Sequence, residues 1–204
     1  MPSPTWFPWA RFNLKRNPFG ELTREERIAA AVVATDQWVP WFQSPGLHAL
    51  QIMGDCGRGK TTHLLALADK LDGSAYVYLP PRGPLPPVPN APVVLIDEAQ
   101  RLPRRVRKQV LSRRRALVLG THRDLKRPLR RAGYAVKTVM AAAGADAQQI
   151  CTVMNRRIEL ARLAAGATPA LAPADGAALA RRFGNDLRAI EGYLYDRVKH
   201  AGVG

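Results

Sequence analysis

Gly54-Asp55-Cys56-Gly57-Arg58-Gly59-Lys60-Thr61 decides how the rest of the chain is read. Gly54 and Gly59 stand five positions apart and run directly into Lys60 and Thr61, the pattern of a loop that cradles phosphates. Glycines let the backbone turn tightly and bring its N–H groups close to anionic oxygens. A helix that follows turns its positive end to the same anion. Lys60 supplies a point charge for β- and γ-phosphates and Thr61 a hydroxyl for Mg²⁺, with Thr62 next in line. The setting agrees. Residues 47–53 form an apolar run that reads as a buried strand, and residues 62–71 carry Leu64, Leu65, Leu67, Ala68 and Leu71 at helical spacing.

A second acid-ended strand follows downstream. Val93-Val94-Leu95-Ile96 reads as a strand buried on both faces, and Asp97-Glu98 stand at its C-terminal end, where open α/β sheets place ligands. Asp97 suits a contact to Mg²⁺, and Glu98 suits a base that orients and deprotonates water. Residues 74–79, 116–120 and 135–140 are three more β-rich runs, the second ending in Thr121-His122. Five strands alternating with helices or loops predict an α/β fold with a parallel, doubly wound sheet. The proline-laden residues 80–92 leave no room for a helix and read as a tight, stiff crossover.

On the N-terminal side, residues 1–20 form an aromatic arm broken by four prolines. Thr23 and Glu26 make a capping box that predicts a helix to about Gln37. From Gly144 onward only helices are expected, over 146–164, 173–183 and 185–200, as a small lid. The expected pieces are an arm and helix (1–43), a phosphate-loop core (44–142) and a helical lid (143–204).

The chain of 204 residues carries a net charge of +15, which favours a polyanionic partner. Residues 101–131 hold thirteen Arg and Lys residues against one acid, Asp124. On a helix over 103–112, Arg104, Arg107 and Lys108 share a face while Val106 and Val110 turn inward. With Arg114, that face would hold phosphates without reading sequence. DNA and an acidic protein partner both fit this charge. No apolar run approaches a membrane span, and the start lacks a secretion signal, so a cytoplasmic location is expected. Two cysteines make no disulfide framework.

The phosphate loop, the Asp-Glu strand end, a polar residue ending the next strand and a C-terminal helical lid together resemble the AAA+ ATPases. Asn17-Pro18-Phe19 and the lid segment Phe183-Gly184-Asn185-Asp186-Leu187-Arg188 resemble the compact bacterial transposition-regulator and general-secretion groups. The resemblance implies ATP and Mg²⁺ as ligands, hydrolysis, and assembly into homo-oligomers. It implies that Gly54 to Thr62 hold the nucleotide, with Thr61 and Asp97 at the metal and Glu98 as base. Thr121, or alternatively His122, resembles a first sensor, and Arg188 a second. Asn17 and Phe19 resemble the segment near adenine, and Arg130 or Arg131 a finger acting on a neighbouring subunit. The missing helix between the second and third strands departs from the family. Thr121-His122-Arg123-Asp124 faintly resembles the guanine-reading motif of GTPases, but the Lys is absent, so adenine is expected. Three functions compete: a DNA-engaging ATP switch of transposition type, an ATPase acting on a protein partner, and a small-molecule kinase. The water-activating Glu98 speaks against the last.

Overall fold

Five parallel strands form one sheet: β1 (His48–Met53), β2 (Ser74–Tyr78), β3 (Val93–Asp97), β4 (Ala116–Thr121) and β5 (Ala135–Met140), in the order β2-β3-β4-β1-β5. The computed structural model describes residues 8–33, 35–55, 57, 59–141, 146–184 and 186–202. The sheet belongs to a unit of residues 33–143; a second unit combines residues 1–32 with 144–204.

Strand alternation sorts the apolar residues onto two faces. Leu50, Ile52, Leu95 and Val118 meet Leu64, Leu67 and Leu71 of helix α3 (Lys60–Lys70), with Trp38, Trp41 and Phe42 of α2 (Trp38–Gln43) packed alongside. Ala49, Val94, Ile96, Leu117 and Leu119 meet Val110 of α4 (Arg104–Ser112) and Leu129 of α5 (Lys126–Arg131). The proline-rich crossover contains no helix, and its Leu85, Val88 and Ala91 pack on this second face, where a helix would otherwise lie.

In the other unit, α1 (Arg24–Ala29) is shorter than expected. Its capping box forms as read, but the helix ends at Ala29 rather than near Gln37. Two β-branched residues follow, Val32 and Val33, and there the chain crosses from one unit to the other. A separate helix, α2, accepts Pro40 because it falls in the first turn.

The C-terminal helices are α6 (Ala147–Leu160), α7 (Pro173–Phe183) and α8 (Leu187–Gly202). Leu14 and Phe19 are buried with Ile150, Met154, Ile158, Leu179 and Ile190. Residues 8–32 therefore group with these helices. A short antiparallel bridge ties Leu14 to Arg162. α7 crosses α6 at Gly176, where a β-carbon would collide with Ala147 O and Cys151 Sγ. No helix of the described residues is long and apolar enough to cross a membrane.

Candidate functional site

Placing β4 between β1 and β3 brings three strand ends together. Met53 pairs with Thr121, and Gly54 N–H donates to Thr121 O at 3.3 Å. The loop after β1, the acids after β3 and the turn after β4 therefore converge outside the carboxyl ends of the sheet.

Gly57 and Gly59 have φ of 79° and 81°, the left-handed region that the loop needs and glycine enters without strain. Cys56 and Arg58 lie outside the described residues. Lys60 opens α3 yet is only 6% exposed. Its ammonium donates to Gly54 O at 2.8 Å and Asp55 O at 2.9 Å, and lies 3.8 Å from Glu98 Oε1. His63, one turn on, has Nδ1 3.0 Å from Gly59 O, and burial pulls its imidazole below the usual histidine value. Thr62 is half-buried on the first turn of α3.

Asp97 is buried and fully engaged. Its Oδ2 accepts from Thr61 Oγ1 at 2.6 Å and from Tyr76 OH at 3.0 Å, and its Oδ1 accepts from Glu98 N at 3.0 Å. Gly120 makes this possible. A β-carbon there would stand 2.8 Å from Asp97 Oδ1 and 2.7 Å from Leu64 Cδ1. A glycine inside a strand signals such close approach, so Gly120 is a signal the sequence itself carries.

Glu98 takes φ 62°, a left-handed conformation that a non-glycine residue adopts at a cost of about 1 kcal/mol. It turns the chain from β3 into the short helical turn Ala99–Arg101. Its Oε2 accepts from Gln100 Nε2 at 2.7 Å, Arg101 Nη2 at 2.9 Å and His122 Nε2 at 3.1 Å. Oε1 is the oxygen left for a further donor.

The two sensor candidates separate here. Thr121 is fully buried, and its hydroxyl donates to Arg123 O and accepts from Arg123 N, closing its own turn. His122 instead stands between the charges, with Nδ1 3.4 Å from Lys60 Nζ and Nε2 on Glu98. Thr121 thus holds its own turn, while His122 stands within reach of Lys60 and Glu98. Asp124 lies just beyond them in the chain. Its Oδ1 accepts from Gln51 Nε2 at 2.7 Å and Lys126 N at 2.7 Å, holding the turn before α5.

Asn17, Phe19 and Arg188 belong to the helical unit. Asn17 is buried there: Oδ1 accepts from Phe19 N and Nδ2 donates to Tyr195 O. Phe19 is buried in the same core, while Arg188 is exposed on the first turn of α8. Arg130 and Arg131 are both exposed at the end of α5, and Arg131 faces a groove toward α4. Arg104, Arg107, Lys108 and Arg114 line that same groove.

Among the described residues no cluster of three His, Cys, Asp or Glu side chains is arranged to hold a metal ion. The candidate metal donors, the Thr61 hydroxyl and the Asp97 carboxylate, are hard oxygens, the type Mg²⁺ takes in small number alongside phosphates and water. No protein-family model matches the chain, and no curated protein matches it.

Proposed function

We propose that the chain binds ATP with Mg²⁺ and hydrolyses it to ADP and phosphate, as an AAA+ type switch that works in the cytoplasm and assembles with copies of itself. The observation that carries this reading is the convergence of Lys60, Thr61, Asp97, Glu98 and His122 on one end of a parallel sheet, next to a glycine loop with two positive φ angles. Lys60 already has its charge out of water, and its two closest partners are carbonyls; phosphate oxygens make stronger, charge-assisted bonds and replace them. Thr61 and Asp97, joined at 2.6 Å, are the residues that would hold Mg²⁺, which when bound neutralises phosphate charge. Glu98 Oε1 accepts the proton of the attacking water while Arg101, Gln100 and His122 fix the carboxylate through Oε2.

The test is Glu98→Gln. ATP binding should persist while turnover falls about a hundredfold or more. Ordinary turnover by the variant would remove Glu98 as base, and failure of the unaltered protein to bind ATP would remove the reading altogether. An ATPase acting on a protein partner shares this site and differs in what the basic segment touches.

A further inference from the structure

α4 and α5 do not close on each other. Between them runs a groove of about 910 Å³, all of it within the sheet unit. α4 lines it with Arg104, Arg105, Arg107 and Lys108, α5 with Arg127 and Arg131, and Arg114 joins them from beyond the end of α4. Among the described residues none of these seven cations makes an ion pair. The one acid of the segment, Asp124, is bonded to Gln51 and the α5 backbone and does not line the groove. Like charges drawn this close cost free energy, and no carboxylate among the described residues pairs with them.

Arg114 adds a second sign. It holds φ 49°, where glycine would sit without strain, and its guanidinium lies beside Gly133 beyond the end of α5. The strained position thus carries a cation across the groove.

The remaining lining restricts the occupant. Leu111, Pro128 and Ala132 are half-buried between the helices, and Ser112 is the one uncharged polar residue. Among the described lining residues there is no aromatic ring to stack an unpaired base. There is no Asn or Gln to pair with a base edge. What the groove offers is positive charge at several spaced points, which matches phosphates and is indifferent to sequence.

We infer that the α4–α5 groove grips the phosphate backbone of double-stranded DNA without reading its sequence. The binding stands on the groove itself; only its use as a switch rests on the ATP reading. The test is anisotropy of the full chain with a mixed-sequence duplex, without nucleotide, while ATP binding is measured separately. If about four cations meet phosphates, affinity falls about a hundredfold between about 50 and 200 mM salt. The variant Arg104→Ser/Lys108→Ser/Arg127→Ser removes three exposed groove cations, so the slope of log affinity against log salt should flatten by about 2.7. Arg82→Ser/Lys199→Ser removes exposed cations elsewhere and should leave binding unchanged. The exposure of all these positions keeps folding out of the comparison, which an unchanged melting temperature verifies. Duplex binding that survives the triple variant overturns the proposal. So does preference for single strands, or tight capture of polyglutamate in place of DNA. Any of these with normal ATP binding leaves the proposed ATPase standing; loss of ATP binding with intact duplex binding does the reverse.

Discussion

His122 Nε2 lies 3.1 Å from Glu98 Oε2, and the other ring nitrogen lies 3.4 Å from Lys60 Nζ. An ammonium only donates and a carboxylate only accepts, so the pairing suits the tautomer with its proton on Nε2. The ring then bridges the residue proposed for phosphate binding and the residue proposed as base. His122→Ala should lower ATP turnover about tenfold to a hundredfold and change ATP affinity far less, because it positions Glu98 and does not hold phosphate. Steady-state turnover and equilibrium ATP binding, measured side by side, check this. An equal loss in both would place His122 in binding instead.

Gly120→Ala tests the geometry at Asp97 from the other side. The added carbon meets Asp97 Oδ1 at 2.8 Å and Leu64 Cδ1 at 2.7 Å, and both side chains are buried, Asp97 being held by its hydrogen bonds as well. Overpacking of this kind costs about 1–3 kcal/mol. A displaced Asp97 also loses its bond from Thr61. Chemical denaturation should show the stability loss, and Mg²⁺-dependent ATP binding should weaken with it. A variant as stable as the parent would show that β4 can move away.

The parts of the site that could be read from the sequence are those whose roles depend on local spacing. Lys60 and Thr61 follow their glycines directly, and Asp97-Glu98 end an apolar run, so strand, loop and helix placed them without knowledge of the fold. The five strands were legible for the same reason. The order β2-β3-β4-β1-β5 was not, and with it went the choice between Thr121 and His122. Thr121 ends β4 and His122 follows it; only the insertion of β4 between β1 and β3 brings His122 to Lys60 and Glu98. The joining of the N-terminal segment to α6–α8 was equally hidden. Leu14 and Ile190 share a core across most of the chain, and no local pattern announces such a contact. The basic segment was legible as charge, but the groove needed α5 to be seen opposite α4.

Asp124 gives a pH prediction. The bond from Gln51, then that from Lys126 N, holds its carboxyl below the ordinary value of 3.8. A carboxylate with a depressed folded value adds stability above the unfolded value, and loses it as pH falls through the folded one. Asp124→Asn should therefore lower the melting temperature at neutral pH, and the gap between the proteins should close below about pH 4. The side chain is exposed, so the gap is small. A gap independent of pH would assign the effect to shape alone. Gln51→Leu should be the more damaging change, since fully buried Gln51 also bonds Thr138 Oγ1 and Leu125 N.

Arg157 should be the most sensitive position of the helical unit. It is 6% exposed and donates through three nitrogens: Nε to Pro18 O at 3.1 Å, Nη2 to Gly20 O at 2.6 Å and Nη1 to Glu191 Oε1 at 2.9 Å. Burial pulls its guanidinium below the ordinary arginine value, and the Glu191 carboxylate opposes the shift. The Asn17-Pro18-Phe19-Gly20 turn is thus clamped from α6 through the Pro18 and Gly20 carbonyls. Arg157→Met keeps much of the volume but strands two carbonyls and a carboxylate, at a cost of about 3–5 kcal/mol. Arg157→Lys keeps the charge without the planar fork and should recover only part of that loss. Urea denaturation of the three proteins decides it. A loss below about 1 kcal/mol in the Met variant would mean that water serves these groups as well as the arginine does.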